Sequence, residues 1–293
     1  YIATKQNIDD LNTLVDYTIN RHYPEIKSSK NKALDLLNLV MERQCQLVVN
    51  WMRVGFIHGV MNTDNMAISG ETIDYGPCAF MDFYNPKTVF SSIDRFGRYS
   101  FKNQPPIIKW NLARFAESLI PLINKDEDEA IKIATETIDN FQNIYQNKWL
   151  NMMRDKLGLF GRDRDDLKLT NELLNWMEFN KADFTNTFCH LMKIKVSNHE
   201  IYQNQDFINW SNQWQKRQSN NGTTMKKSLE LMKVTNPTII PRNHKVEEAL
   251  SAATEGNYKI LNELLNIMKK PYNFTKNLGS YHLPSENKSY QTF

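Results

Sequence analysis

Three short polar side chains are the candidates for chemistry in this sequence: Asp64, Asn65 and Asp74. They lie in the segment 55–84, which is otherwise rich in Phe, Ile, Met and Val, residues typical of a protein core. A carboxylate in a core is costly to desolvate unless it is paired, hydrogen-bonded or metal-bound. Carboxylate and amide oxygens suit a hard divalent cation such as Mg²⁺, and an Asp outside the metal-binding set would be free to act as a base.

A small β-hairpin would bring these three groups together. Residues 66–69 and 72–75 are β-prone runs, and Gly70 between them suits the first central position of a type II′ turn. Side chains nine or ten positions apart would then converge where the ends of the two strands meet. The alternative is that the first two candidates only satisfy backbone N–H groups of a turn, while the third pairs with an Arg. The spacing leaves both interpretations open.

Composition narrows the class of protein. The 293 residues are 41% hydrophobic, which is enough for a substantial core in one large domain or two. Basic and acidic residues number 36 and 33, and no basic stripe interleaved with aromatics indicates a nucleic-acid partner. Cys45, Cys78 and Cys189 are far apart and odd in number, which supports neither a disulfide framework nor a zinc site. No apolar run reaches the ~18 residues that a membrane span needs, so no membrane partner is expected.

Hydrophobic periodicity predicts that helices dominate the chain. We expect them at 7–22, at 33–54, at 105–123, from the acidic turn at 125–129 to about Leu157 as one long helix, at 171–179, 183–192, 207–217 and 223–234, and as a pair joined at Gly256-Asn257. The charged stretch 161–166 (GRDRDD) predicts a solvated linker. Arg242-Asn243-His244 starts the first helix of this pair and would either cap it or contact the functional site or the N-terminal lobe. His58 is expected in the core, with orientation of Asp64 as the alternative role.

The central segment resembles the SelO family, also called the YdiU family, of pseudokinase-like protein nucleotidyltransferases. The resemblance rests on HGVMNTDNM at 58–66, IDYGP at 73–77 and FMD at 80–82. Further landmarks follow in the right order over nearly the whole chain: Gly97-Arg98-Tyr99, Asn103-Gln104-Pro105, Trp110-Asn111-Leu112-Ala113-Arg114, Asp183-Phe184-Thr185, and Asn236-Pro237 through Pro241-Arg242-Asn243-His244. Motifs and order together make the resemblance specific.

The resemblance implies a role for each candidate residue. Asp64 matches the family's proposed catalytic base, Asn65 a metal ligand, and Asp74 the metal- and nucleotide-binding counterpart of the aspartate in a kinase's Asp-Phe-Gly motif. Similar proteins transfer AMP from ATP to Ser, Thr or Tyr hydroxyls of proteins with Mg²⁺, and some members prefer UTP and Mn²⁺. Kinases separate the catalytic Asp from the metal-binding Asn by four residues, whereas Asp64 and Asn65 are adjacent. The analogy with kinases therefore extends to the functional residues one by one and not to their spacing.

The predicted fold class is mainly α with a small β-hairpin, and the resemblance implies the C-terminal lobe and helical extension of an atypical protein-kinase-like (pseudokinase) fold. We expect a kinase-like core at 1–123 that contains the hairpin segment 55–84, a helical extension at 124–270 and a C-terminal tail at 271–293. No glycine-rich phosphate loop or strand lysine precedes the motif, so the nucleotide-binding N-terminal lobe is expected to be missing from this chain. The chain alone would then be a C-terminal part that holds half of a nucleotide site and is inactive.

Two other functions stand beside nucleotidyl transfer. One is a helical binding or regulatory module with a vestigial nucleotide site, and the other is ordinary phosphoryl transfer. The expected location is the bacterial cytoplasm, or the mitochondrion in a eukaryote. Similar proteins carry a redox Cys or selenocysteine after a tail like the one that ends at Phe293, and the sequence stops before it.

Overall fold

A computed structural model describes residues 7–194, 196, 199–220, 222–273, 279–285 and 290–292. Its α-helices in chain order are α1 (Ile8–His22), α2 (Lys32–Val54), α3 (Gln104–Ile123), α4 (Glu127–Asp139), α5 (Phe141–Lys156), α6 (Asp166–Phe179), α7 (Phe184–Leu191), α8 (Gln205–Ser219), α9 (Met225–Thr235), α10 (Asn243–Thr254) and α11 (Lys259–Met268). Strands β1 (Phe56–Ile57) and β2 (Ala79–Phe80) pair antiparallel, with Phe56 opposite Phe80 and Ile57 opposite Ala79. The mainly helical fold with a small antiparallel sheet is therefore confirmed.

Several helices begin where the sequence supplies a capping side chain. The side-chain oxygen of Asn7 accepts a hydrogen bond from the backbone N–H of Asp10 at 3.1 Å, at the start of α1. Asp126 and Asp183 cap α4 and α7 in the same way. Such caps satisfy N–H groups that have no intrahelical partner in the first turn. The predicted starts of these helices agree with the structure to within one or two residues.

The single long helix predicted after the acidic turn is wrong, because the chain forms two helices that meet at Asn140. The hydroxyls of Thr135 and Thr137 donate hydrogen bonds to the carbonyls four residues earlier, at 2.8 and 2.9 Å. This back-bonding bends helices, and Asn has a low helix propensity. The apolar period continues from Ile138 to Phe141, so the hydrophobic pattern alone does not reveal the break.

The hairpin predicted around Gly70 is reduced to one antiparallel bridge, between Met66 and Thr72, and its two predicted strands do not form. Five residues (67–71) separate the bridged pair, which is too many for a two-residue type II′ turn. Gly70 instead closes a turn by donating its N–H to the Ala67 carbonyl at 3.0 Å, with a φ of +77°.

The chain divides into two compact units. The first consists of Tyr1–Asn50, Val60–Gly76 and Asn103–Lys148, and the second of Trp51–Gly59, Pro77–Lys102 and Trp149–Phe293. In the first unit α3 packs against α1 and α4; in the second, α6 packs against α8 and α10 against α11. The three candidate residues all lie in the first unit. The predicted ranges 1–123, 124–270 and 271–293 stay predictions.

The charged stretch 161–166 is only partly the solvated linker that the sequence predicts. Its last residue, Asp166, is 1% exposed. The Asp166 carboxylate accepts hydrogen bonds from Arg154 at 2.6 Å and from Arg217 at 2.7 Å, which join α5, α6 and α8. A buried carboxylate is tolerable here because both of its oxygens are paired.

Arg242 is buried in the second unit, at 1% exposure, and makes no side-chain capping bond, so the capping interpretation is wrong. Its guanidinium donates to the carboxylates of Asp82 and Asp183, both at 2.6 Å. Those two carboxylates raise the pKa of Arg242 above its usual value, although burial alone would lower it. The neighbouring Asn243 side chain donates to the Phe80 carbonyl at 3.1 Å. This buried ionic cluster joins three of the landmark motifs.

The remaining polar candidates of the sequence lie in the core. His58 is fully buried, with its ring 5.3 Å from that of Trp51, which confirms its predicted place. Cys45 and Cys189 are buried thiols and Cys78 is half-buried. Burial raises the pKa of the Cys45 and Cys189 thiols to about 12, so both stay protonated at neutral pH. In the part of the chain that the structure describes, every helix lacks the length or the apolar character needed to cross a membrane.

Candidate active site

The loop 60–76 carries the three candidate residues. Thr63–Asn65 forms one turn of 3-10 helix, in which the Asn65 N–H donates to the Asn62 carbonyl at 3.0 Å. Asp64 and Asp74 are exposed and Asn65 is half-buried. Neither carboxylate is therefore desolvated, although the segment around them is rich in apolar residues. Met61, just before the turn, is buried, whereas Thr63 and Asp64 of the turn are exposed.

The bridge between Met66 and Thr72 joins the two halves of this loop. In an antiparallel register, the residues just before one bridged position lie at the same end as those just after the other. Asp64 and Asn65 come directly before Met66, and Asp74 follows Thr72 after one intervening residue. This register places the three candidate residues at the same end of one loop.

The backbone at Asp74 lies in the left-handed region, with a φ of +53°. Residues with a Cβ rarely adopt it, although Asp tolerates it better than most. A Cβ added to Gly76 would stand 3.6 Å from Oδ1 of Asp74. Among the described residues, no side chain pairs with the carboxylate of Asp64 or Asp74, which removes support for an Arg partner. A strained residue that presents an unpaired carboxylate is typical of functional sites.

The Asn65 carboxamide is oriented so that its oxygen can serve as a ligand. Its Nδ2 donates to the Val60 carbonyl at 3.1 Å, and because only the nitrogen can donate, Oδ1 points away from that bond. Asn65 and Asp74 together offer hard oxygen donors, which fit Mg²⁺ or Mn²⁺ that keeps phosphate and water at its other positions. The described residues contain no cluster of three or more His, Cys, Asp or Glu for a metal. A metal held by Asn65 and Asp74 would take its remaining ligands from phosphate and water.

Two buried amides, which the sequence analysis missed, hold the loop from both sides. Gln44 of α2 donates through Nε2 to the Ala67 carbonyl at 2.5 Å, and Asn111 of α3 donates through Nδ2 to the Met61 carbonyl at 3.0 Å. Their side chains are 3% and 7% exposed. We call Gln44 and Asn111 the clamp residues. A polar residue at an otherwise apolar helix position is the signal that could have identified them, as at Gln44, four residues after Val40.

Tyr23 adds a third contact to the loop, because its hydroxyl donates to the Ile68 carbonyl. Burial raises the pKa of this hydroxyl to about 12, so it keeps its proton and the hydrogen bond at neutral pH. The Arg43 guanidinium lies 4.0 Å from the centre of the Tyr23 ring, in the geometry of a cation–π contact. The loop is therefore positioned by side chains from more than one neighbouring element.

Comparisons with known proteins identify the family of the chain. A family profile described as "Protein adenylyltransferase SelO" matches residues 1–269. A "Protein nucleotidyltransferase YdiU" from Pelagibacter ubique (strain HTCC1062) is 61% identical over 297 residues, covering 100% of this chain and 61% of the relative. A protein of the same name from Bacillus cereus (strain AH187) is 49% identical, and the match covers 100% of this chain and 61% of that relative. Another, from Nitrosococcus oceani, is 50% identical, and the match covers 93% of this chain and 55% of that relative.

The matched family and the relatives carry the names of protein adenylyltransferases and protein nucleotidyltransferases. Within that class, the chain belongs to the SelO family, so the resemblance found in the sequence is confirmed. The chain spans about 61% of the length of the Pelagibacter relative.

Proposed function

We propose that the protein transfers a nucleotide, AMP from ATP or UMP from UTP, to Ser, Thr or Tyr hydroxyls of other proteins, with Mg²⁺ or Mn²⁺. Membership of the SelO family supports nucleotidyl transfer as the reaction class. The observation that carries the proposal is the placement of Asp64, Asn65 and Asp74 at one end of a single loop, where the described residues leave both carboxylates unpaired.

In this mechanism the acceptor hydroxyl oxygen attacks the α-phosphorus. The bond from that phosphorus to the oxygen bridging to the β-phosphate breaks, and pyrophosphate leaves with the electron pair. Asp64 takes the proton of the attacking hydroxyl, a role that suits an exposed, unpaired carboxylate. Asn65 and Asp74 would hold the metal, which would supply charge neutralisation for the phosphate oxygens. Such transfer needs mainly positioning and charge neutralisation.

We also propose that the loop corresponds to the catalytic and metal-binding parts of a kinase-like C-terminal lobe. The order of elements supports this: a long helix (α2), then Asp64-Asn65, then Asp74-Tyr75-Gly76, then a second long helix (α3). The adjacency of Asp64 and Asn65 departs from kinases, so the correspondence is one of parts and not of spacing.

The test uses the full-length protein, a generic protein acceptor and ATP labelled at either the α- or the γ-phosphate, first with Mg²⁺ and then with Mn²⁺. We expect the acceptor to gain the α-label alone, and an Asp64→Asn variant to lose this transfer. An Asp128→Asn variant, which changes an exposed aspartate of α4, serves as the control and should keep it. Gain of the γ-label would show a kinase. Absence of both labels would favour the binding module with a vestigial site.

A further inference from the structure

A cavity of about 480 Å³ in the second unit has no part in the mechanism above. Its wall comes from the segment 81–90, from the C-terminal end of α6 with the turn after it, and from residues 243, 290 and 291. This volume is in the range of small-molecule sites. The apolar side chains of the wall include Met81, Phe83, Val89 and Phe90. The cavity can therefore hold a small molecule that has an apolar part.

Some polar side chains of this wall are committed to the fold. The Asp82 carboxylate accepts hydrogen bonds from the Arg242 guanidinium and from the Ser285 N–H, one on each oxygen. The Asn243 amide accepts from the N–H of Phe80 and donates to its carbonyl. These two side chains already have partners, so the recognition of a ligand falls to the other polar groups of the wall.

The Tyr84 hydroxyl is one group that is still available. Tyr84 lines the cavity and is only 9% exposed, yet none of the described residues forms a hydrogen bond with its hydroxyl. Buried polar groups normally have such a partner. The fully enclosed polar atoms that lack a partner in the described part of the chain do not include this oxygen, so it is open to the cavity. Burial and the nearby charge of Glu178 raise the pKa of Tyr84 to about 12, so at neutral pH the hydroxyl can both donate and accept.

Two opposite charges of the wall are held apart. Glu178 and Lys181 are three residues apart at the end of α6, and both line the cavity. Other acid–base pairs with this spacing form salt bridges: Arg114–Glu117, Glu129–Lys132 and Lys245–Glu248. Glu178 and Lys181 form none, either with each other or with another residue that the structure describes. The backbone of Lys181 is left-handed, with a φ of +50°, so it ends the helix and does not continue the helical face that carries Glu178.

This pair of charges determines which ligands suit the wall. An anion would be attracted by Lys181 and repelled by Glu178, and a cation would meet the reverse. The Asp82 carboxylate does not alter this balance, because it is paired with Arg242. A ligand that carries an ammonium and a carboxylate is attracted by both side chains. The wall therefore suits a small zwitterion with an apolar body.

We propose that this cavity binds a small zwitterion of the α-amino acid type, with its ammonium at Glu178, its carboxylate at Lys181 and a hydrogen bond to the Tyr84 hydroxyl. The apolar part of the wall would hold an apolar side chain of the ligand. This chemistry belongs both to a free amino acid and to a short peptide. The site is separate from the proposed transfer reaction and does not rest on it.

The test is a titration of the full-length protein with L-phenylalanine, with ¹³C labels at the Val methyl groups and NMR detection. We expect a saturable shift at Val89, which lines the cavity, and none at Val49, a buried residue of α2. N-acetyl-L-phenylalanine lacks the ammonium, and L-phenylalanine amide lacks the carboxylate. Each should bind about tenfold more weakly, the effect of one hydrogen bond to a charged group.

Variants of the two charged residues assign each end of the ligand. Glu178→Gln should weaken the binding of L-phenylalanine about tenfold and remove its advantage over the N-acetyl derivative. Lys181→Gln should do the same for the advantage over the amide. Both residues are exposed, so the fold should tolerate these changes. Lys193→Gln is the control, because Lys193 is also exposed and left-handed, with a φ of +61°, and does not line the cavity; it should change neither affinity.

Tyr84→Phe tests the hydroxyl alone. It keeps the ring that stacks on Phe184 and should weaken the binding of L-phenylalanine about three- to tenfold, the effect of one neutral hydrogen bond. Unchanged affinity in this variant would contradict the place given to the hydroxyl.

The dipeptide alanyl-phenylalanine, whose charges are farther apart, distinguishes the two sources of the ligand. Tighter binding of L-phenylalanine identifies a free amino acid, and tighter binding of the dipeptide identifies a short peptide. Absence of a saturable shift at Val89 with both probes, as for a cavity that holds only water, would overturn the proposal. Equal affinity for L-phenylalanine and its two derivatives would do the same. Because the NMR titration needs no turnover, failure of the transfer proposal would leave the binding result intact.

Discussion

Asp74 keeps a left-handed backbone although it carries a side chain, and the same region is occupied by Gly70 four residues earlier. For a residue with a Cβ this conformation costs about 1–2 kcal/mol, so the rest of the loop must hold it in place. Among the residues that the structure describes, none forms a hydrogen bond or an ion pair with its exposed carboxylate. At the residue scale, therefore, the conformation of the loop, and not burial, sets the direction in which the Asp74 side chain points.

Substitution of Gly70 tests how tightly the loop is held. Gly70→Ala would place a Cβ 2.7 Å from the Cβ of Arg43 and would force a side chain into a φ of +77°. We expect the free energy of unfolding to fall by about 2–4 kcal/mol, from backbone strain plus overpacking, measured by urea unfolding.

Gly256→Ala is the matched control for this substitution. Its φ is +82°, but nothing lies within 4 Å of the added Cβ, so only the backbone cost of about 1–2 kcal/mol is expected. Equal losses for the two variants would mean that the contact with Arg43 does not restrain the loop.

The sequence offers the candidate residues but does not describe their surroundings. Short oxygen-bearing side chains at turn-forming positions are visible in the letters, and Asp64, Asn65 and Asp74 do lie at one end of a loop. Their exposure was not predictable from the apolar neighbours, because solvent contact depends on how the turn at Thr63–Asn65 is directed by distant helices.

At the scale of elements, the loop is fixed by helices that are remote in sequence. Asn111→Leu removes the donor to the Met61 carbonyl and leaves that group unsatisfied. We expect the free energy of unfolding to fall by about 1–3 kcal/mol. The transfer rate should fall as well, and by more than the loss of folded protein explains, which is measured by normalising rates to the folded fraction.

Asn38→Leu in α2 is the control for this clamp variant. Asn38 donates through Nδ2 to the Leu34 carbonyl of its own helix at 3.0 Å. The control variant therefore loses the same kind of hydrogen bond, but to a helix carbonyl and not to the loop. Asn38 is half-buried, and we expect about 1 kcal/mol or less of destabilisation, the net worth of one such hydrogen bond, with an unchanged transfer rate. A similar loss of rate in both variants would contradict a positioning role for Asn111.

The ion pairs of Asp166, which join α5, α6 and α8, should make the free energy of unfolding depend on pH in the acidic range. Burial is the largest single influence on Asp166 and would raise its pKa, but hydrogen bonds from Arg217, Arg154 and the Asp163 N–H together outweigh it and hold the pKa below its usual value. The folded state therefore binds this proton less tightly than the unfolded chain. The stabilisation is present above the unfolded pKa near 3.9 and is lost as pH falls through the folded-state pKa.

Asp166→Asn should thus lower stability at pH 7 by about 3–5 kcal/mol, as expected when one partner of a buried ion pair is removed. It should also flatten the decline of stability below about pH 4. Asp165→Asn changes the exposed neighbour and should do neither. Urea unfolding at a series of pH values measures both effects, and an acid decline that persists unchanged in Asp166→Asn would rule out this assignment.

Helix positions were the most predictable elements, because apolar periodicity and capping residues are local properties. Asn7 and Asp183 mark helix starts in the sequence and in the structure. The break at Asn140 and the burial of Asp166 were not predictable, since the first interrupts an unbroken apolar period and the second depends on two arginines 12 and 51 residues away.

At the scale of the whole molecule, the two units each combine segments far apart in the chain. The ionic cluster of Arg242 in the second unit shows how: its partners Asp82 and Asp183 are 160 and 59 residues away. The three residues stand in separate landmark motifs of the sequence, which gave no sign that the motifs meet. Such long-range pairing has no local pattern from which it could be predicted.

Removal of Arg242 should destabilise the second unit strongly. Arg242→Met leaves Asp82 and Asp183 close together without their shared cation, and we expect a loss of about 3–5 kcal/mol. The double variant Arg242→Met/Asp183→Asn should lose less than the sum of the two single variants, because it removes one of the stranded charges. Additive losses in urea unfolding would contradict a coupled cluster.

The proposed roles of Asp64 as the base and Asp74 as a metal ligand are tested most directly by the rate of α-label transfer, measured in full-length protein against Mn²⁺ concentration. Asp64→Asn should lower the maximal rate by about 10²–10⁴-fold, the usual contribution of a general base, with the half-saturating Mn²⁺ concentration unchanged. Asp74→Asn, which keeps the shape and tolerates the left-handed backbone, should raise that concentration at least tenfold, and Asp128→Asn should change neither quantity. A shift of half-saturation in Asp64→Asn with none in Asp74→Asn would contradict the assignment of base and metal ligand.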